Sequence, residues 1–186
     1  LQSIFEEMKD HIDYMFSTEV TDILVENNEI KGIKINDEII ESKYVIIGVG
    51  RGGSNWQTQI LSKYGVKFHN NRVDIGVRVE TNDIIMEEIN KYLYEGKFIF
   101  NTSVGTTVRT FCSNPSGHVV IENHNGTMVC NGHAYHDLRL GSHNTNFALL
   151  VSHKFSEPFD KPNDYAYDVS RLANQLSIGS VIVQRY

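Results

Sequence analysis

Residues 44–56 read Tyr-Val-Ile-Ile-Gly-Val-Gly-Arg-Gly-Gly-Ser-Asn-Trp. An apolar run, Val45-Ile46-Ile47, leads into Gly48-x-Gly50-x-x-Gly53, and Ser54 follows as a candidate helix cap. Strand, glycine turn and helix in this order form a dinucleotide fingerprint: the first glycine permits the tight turn, the second lets backbone approach a pyrophosphate, the third lets helix pack on strand. Such a unit also needs an acidic residue at the end of the next strand to hold a ribose. The next apolar run, Val66-Lys-Phe68, leads into His69-Asn70-Asn71, none of which is acidic. Asp74 stands at about the right distance, roughly 20 residues on, but inside the following strand pattern. A self-sufficient nucleotide-binding half is therefore not expected. The string reads better as a glycine-rich turn shaping a strand-to-helix corner.

Outward from this corner, the N-terminal side mixes element types. Ile4, Phe5, Met8, Ile12 and Met15 recur at helical spacing, so residues 2–16 are expected to form an amphipathic helix. Residues 18–25 alternate and are β-rich, Asn27-Asn28 marks a turn, and residues 30–35 return as a second strand. Asn36-Asp37 is another turn signal, residues 44–47 read as a buried strand, and a helix over 54–64 stops at Gly65. Beyond Val73 the pattern becomes short β runs at 73–79, 97–100, 107–112, 118–122 and 127–132, with a helix near 84–93. Asn114-Pro-Ser-Gly117 and His124-Asn-Gly126 punctuate them, the second favouring a tight hairpin. A polar loop over 133–145, a strand at 147–151, a helix over 164–175 behind Pro162 and a strand-like end from Ser180 complete the chain. The expected fold is α+β or mixed α/β, divided into residues 1–71 and an antiparallel-rich part over 72–186.

Composition narrows the function classes. The 186 residues carry 17 Lys+Arg against 23 Asp+Glu, a net charge of -6, which argues against a nucleic-acid binder with its basic face. No apolar segment is long enough to suggest a membrane span. Two cysteines make no disulfide framework, so a cytoplasmic setting is expected. The chain opens at Leu1 and closes on a strand-like run, and the expectation is an interior piece of a larger protein.

The order of elements resembles the middle of flavoproteins with two dinucleotide-binding domains. It runs helix, Thr18-Glu-Val20, hairpin with Ile30-Lys-Gly-Ile33, then Tyr44-Val-Ile-Ile-Gly-Val-Gly50. The further motifs Asp74-Ile-Gly-Val-Arg-Val-Glu80, Arg109-Thr-Phe-Cys-Ser-Asn-Pro115, Asn131-Gly-His133, Thr145-Asn-Phe-Ala-Leu-Leu150 and Arg171-Leu-Ala-Asn174 are similar to a group of largely uncharacterised bacterial FAD-dependent dehydrogenases. The resemblance covers nearly the whole chain. It implies a partial FAD-domain segment over 1–71 and a substrate-side domain over 72–186. It implies hydride transfer between a small-molecule substrate and flavin, with NAD(P)H or another redox partner completing the cycle. Val20 would meet the FAD adenine through its backbone, and Gly48 and Gly50 would close over the cofactor. The family's N-terminal glycine-rich segment and C-terminal FAD-closing segment are absent here; they would be this chain's partners. The chain alone is accordingly expected to bind FAD poorly and to lack turnover.

Candidate chemistry on the substrate side rests on Arg109, His133 and Asn146. Arg109 could fix an anionic group or polarise a flavin carbonyl, or be a paired surface arginine. The resemblance makes the loop at His133 part of a wall facing flavin or substrate, and the residues alone read equally as a hydrogen-bonded polar loop. Asn146, at the mouth of a strand, offers amide groups for orientation, or caps an Asn-rich turn. Cys112 reads as a small buried residue rather than a redox thiol. Arg78 alternates with Val77 and Val79 and is either solvated or turned toward the domain junction. Glu87 and Glu88 read as the solvated face of a helix. Cys130-x-x-His133-x-x-His136, with His143 beyond, could be a zinc ligand list. Its spacing fits no common finger, so no metal is assigned. A zinc-dependent hydrolase and a non-catalytic binding module stand as the rival functions.

Overall fold

The structure, a computed structural model, describes residues 1–156, 158 and 161–185. The chain divides into two compact units, Leu1–Lys67 and Phe68–Tyr186.

The first unit is built on a three-stranded antiparallel sheet in the order β1 (Asp22–Glu26), β2 (Glu29–Ile35), β3 (Glu38–Glu41). Asn27 and Asn28 both take left-handed backbone (φ 50 and 64), the hand that suits a tight hairpin, and asparagine tolerates it. Helix α1 (Gln2–Met8) precedes the sheet and helix α2 (Ser54–Lys63) follows it. Ile23, Ile35 and Ile60 are buried. The end of α2 is tied to the start of β1: Lys63 pairs with Asp22, and the Tyr64 hydroxyl donates to the Ile23 carbonyl.

Several expectations change here. The first helix ends at Met8, not near residue 16. Asp10, His11 and Asp13 are weak helix formers, and the chain turns back so that Tyr14 and Phe16 meet Phe5, ring centroids 5.1 and 6.2 Å apart. The first strand starts at Asp22, leaving Thr18–Thr21 outside it. Residues 44–49 join no ladder, and Tyr44 and Ile46 are 85% and 96% exposed, so the run is no buried strand. Its apolar content suits a sheet interior, but no described strand offers it a hydrogen-bonding neighbour. Residues 66–68 likewise form no strand. Ser54 is the first residue of α2 rather than its cap, and its hydroxyl donates to the Arg51 carbonyl (2.9 Å).

The second unit carries a four-stranded antiparallel sheet, ordered β4 (Val73–Asn82), β9 (Asn144–His153), β6 (Thr107–Asn114), β5 (Ile99–Asn101). A separate two-stranded hairpin joins β7 (His118–His124) to β8 (Thr127–His133) through Asn125-Gly126. β4 and β9 pair along their full length, from Val73 opposite His153 to Asn82 opposite Asn144. Helix α3 (Asp83–Asn90) starts where β4 ends, its first turn capped by the Asn82 side chain, which accepts from Ile84 N (3.0 Å). The polar loop after β8 contains one 3-10 turn, Leu138–Leu140. Helix α4 (Pro162–Leu176) begins on the proline, whose missing N–H costs nothing there. Asn174 of α4 bonds the Met128 backbone of β8 in both directions, accepting from N (2.8 Å) and donating to O (2.9 Å). Residues 181–185 form no strand, and Tyr186 lies outside the described residues. The fold is α+β with several antiparallel sheets.

Candidate functional site

The polar residues of the second unit gather around an irregularity in β6. The β6–β9 register runs from Phe111 opposite Ala148 to Asn114 opposite Asn146, so β6 holds one extra residue. Cys112 absorbs it with left-handed backbone, φ 49, uncommon for a side-chain-bearing residue. The bulge aims the Cys112 carbonyl out of the ladder. It accepts from Asn114 Nδ2 (2.9 Å) and from Arg78 Nη2 (2.8 Å), while Cys112 N donates to Glu95 Oε1 (2.8 Å).

Arg78 reaches this point from β4. Its Nε and Nη2 both donate to Asn146 Oδ1, at 2.9 and 2.5 Å. The arginine is half-buried, and Asn146 is fully buried. Gly132 of β8 closes the cluster: a Cβ there would come within 3.0 Å of Arg78 Nη2, Asn146 Oδ1 and Asn114 Nδ2. Only glycine leaves room for this approach.

The opposite face of β9 holds a second cluster. Thr145, also fully buried, donates from Oγ1 to Asp83 Oδ1 (2.6 Å) and accepts from Asn90 Nδ2 (2.8 Å). Ser116 donates to the same carboxylate through its hydroxyl (2.7 Å) and its N–H (3.2 Å). Burial pushes the Asp83 carboxyl up, but the hydrogen bonds from Thr145 and Ser116 outweigh it and hold it below the usual range. An open groove of about 520 Å³ runs beside this cluster, lined by Ile84, Glu87, Asn90, Lys91 and Pro115 among others. Asp83 accepts one hydrogen bond from Thr145 and two from Ser116, and so pins the 114–117 turn to α3.

No protein-family model matches the chain, and no curated protein matches it.

The three substrate-side candidates do not converge. Arg109 pairs with Asp74 (2.5 Å) and lies over the Phe111 ring (5.2 Å), opposite Leu150 and so four residues along β9 from Asn146. It is a paired arginine on the sheet. His133 is 64% exposed, its Nε2 3.4 Å from Glu122 Oε1. Asn146 is at the centre of the Arg78 cluster. On the cofactor side, Val20 is half-buried in the segment before β1. Gly48 and Gly50 lie in the turn ahead of α2, Gly50 with φ 61, and a side chain at either would meet no atom within 4 Å. Among the described residues no hydrogen bond joins Val20 to Gly48 or Gly50.

The cysteine and histidine candidates separate as well. Among the described residues, Cys130, His133 and His136 form no metal-ligating group, nor do any other three such side chains. Cys130 is exposed, and partial desolvation pushes its thiol up against the opposing pull of Arg78. At Cys112 the backbone N–H and carbonyl carry the short contacts, and Sγ lies 3.8 Å from Asn114 Nδ2. No helix among the described residues is long and apolar enough to cross a membrane.

His133 belongs to a third cluster, on the hairpin. Glu122 accepts from Asn131 Nδ2 (2.8 Å) and faces His124 Nε2 (2.9 Å) and His133 Nε2. The Asn131 hydrogen bond, followed by the two histidines, holds its carboxyl down at about 2. A carboxyl lowered on folding contributes stability that is complete above its unfolded range, near 4.5, and is lost as pH falls toward 2. With a quarter of the side chain exposed, solvent screening leaves about 1 kcal/mol of this contribution. Glu122→Gln is expected to flatten the acid limb of stability between pH 4.5 and 2 in urea titrations, with the neutral-pH cost near that figure. An acid limb identical in the two proteins would contradict the assignment.

Sequence reading placed Asn146 in the site but missed its partners. Arg78, Asn114 and Gly132 come from three strands. The available signals were slight: one arginine inside a Val-rich strand, and the Asn131-Gly132 pair within another.

Proposed function

We propose that the chain is the central, substrate-side portion of an FAD-dependent oxidoreductase of the bacterial two-dinucleotide-binding-domain type, cytoplasmic, with NAD(P)H as co-substrate. The observation that carries this reading is the corner at residues 44–63. An extended apolar run enters a turn of open glycine backbone, Gly50 is left-handed, and α2 starts at Ser54. FAD, when bound, would supply the hydride-accepting ring. In this reading Gly48 and Gly50 let the backbone lie against the cofactor without a side chain between them, and Val20 offers backbone groups to its adenine end. Asn146 and its partner Arg78 orient the substrate.

The dispersal of Arg109, His133 and Asn146 favours a second reading, a non-catalytic module that binds a small ligand. One measurement separates the two. The protein encoded by the complete parent reading frame is expected to purify yellow, with stoichiometric flavin that a reductant bleaches. The present chain alone is expected to take up FAD weakly and to show no turnover. A colourless parent protein that takes up no FAD removes the flavoenzyme reading and leaves the module.

A further inference from the structure

Three departures from ordinary packing meet at the β6 bulge. The first is charge. Arg78 is a guanidinium cation, yet the acceptors it bonds, Asn146 Oδ1 and the Cys112 carbonyl, are neutral. Among the described residues no carboxylate lies within ion-pair distance of it, and Nη1 donates to nothing. The second is an orphaned donor. Arg78 draws Asn146 Oδ1 toward itself and so fixes the amide, which leaves Nδ2, fully buried, without an acceptor. The third is strain: Cys112 holds φ 49, and the buried Ser113 hydroxyl beside it also lacks a partner. Buried donors and half-buried charges left unmatched are costly, and native proteins keep few of them without a reason.

We propose that Arg78 and Asn146 form the recognition head of a binding site for the carboxylate group of a small-molecule ligand. Arg78 offers the ligand contact through Nη1, and Asn146, fully buried, acts behind it by holding the guanidinium through Oδ1. Asn146 Oδ1 and the Cys112 carbonyl lock the guanidinium plane, and Gly132 presses the β8 backbone against it, so the fork is held before a ligand arrives. One guanidinium matches one planar, singly charged carboxylate. Glu95, bonded to Cys112 N at the same bulge, opposes a second negative charge and so disfavours a phosphate dianion. The site stands on this geometry alone and does not depend on flavin; a chain that never takes up FAD still tests it.

The test is an NMR titration of the isotope-labelled chain with sodium acetate, with sodium chloride at matched ionic strength, and with inorganic phosphate. The probes are the Arg78 Nε–H and Asn146 Nδ2–H₂ signals. Acetate is expected to shift both saturably, at concentrations where chloride shifts neither. Arg78→Gln, with its backbone amide spectrum showing an intact fold, is expected to weaken acetate binding about tenfold or more. Arg78→Lys keeps the charge but loses the fork, and is expected to fall between. Equal response to acetate and chloride, unchanged affinity in Arg78→Gln, or tighter binding of phosphate than of acetate would each overturn the proposal. If Arg78→Gln does not fold, the wild-type titration and Arg78→Lys decide it.

Discussion

Gly76→Ala is expected to cost the second unit about 3 kcal/mol or more, at the upper end of what overpacking does. Gly76 lies inside β4 opposite Leu150, and β4–β9 is the longest pairing among the described residues. A Cβ at Gly76 would fall within 3.0 Å of the Leu149 carbonyl, both its oxygen and its carbon. Those are backbone atoms of the central strand, so no side-chain rotation relieves the clash. The strands must separate locally, and the ladder bonds on either side go with them. Hydrogen exchange reads this directly: β4 and β9 amides should lose protection, and the urea midpoint of the second unit should fall. Gly52→Ala is the control. Its backbone is not left-handed and a side chain there meets nothing within 4 Å, so a change under about 0.5 kcal/mol is expected. Equal stabilities for the two variants would mean that the β4–β9 approach is not as close as described.

That close approach also shows what the sequence could and could not announce. The strands of the second unit were legible because β-branched alternation and turn residues such as Asn125-Gly126 mark them locally. Their register was not. Arg78 and Asn146 are separated by 68 positions, and only the β4–β9 pairing brings them together. The bulge left no signal either, since Phe111-Cys112-Ser113-Asn114 contains neither glycine nor proline. An arginine between valines reads as either solvated or turned toward a domain junction until its neighbouring strand is known. In the first unit the errors ran the other way. The helical spacing of Ile4, Ile12 and Met15 promised a buried face, but these residues remain 63%, 45% and 54% exposed, and the helix stops at Met8, ahead of the weak helix formers Asp10, His11 and Asp13. The run at 44–47 has the composition of an interior strand and lacks the neighbour that would make it one. Composition therefore located the elements, whereas the candidate site depended on pairings that composition does not encode.

The opposite face of β9 provides the other large effect, at Thr145→Val. The replacement nearly conserves shape, so no cavity opens, and the loss is confined to one hydroxyl. That hydroxyl donates to Asp83 and accepts from Asn90. Without it, the Asp83 carboxylate keeps only Ser116 as donor, and Asn90 Nδ2 loses its acceptor. A hydrogen bond to a charged partner is worth about 1.5–3 kcal/mol, and the stranded amide adds to it, so a total near 3 kcal/mol is expected at pH 7. The pH dependence identifies the cause. Asp83 is lowered on folding, so its contribution is complete above the unfolded aspartate range, about pH 4, and drains away below it. Removing the Thr145 donor lets burial push the carboxyl back up, so the variant has less to lose in acid. The gap between the two proteins should therefore narrow as pH falls from 5 toward 3. Thr145→Ser keeps the hydroxyl and should keep most of the stability together with the acid limb. A Val variant no worse than Ser would show that the buried methyl of Thr145, and not its hydroxyl, holds α3 to the sheet; a gap constant across that range would show that the hydroxyl does not act through the Asp83 charge.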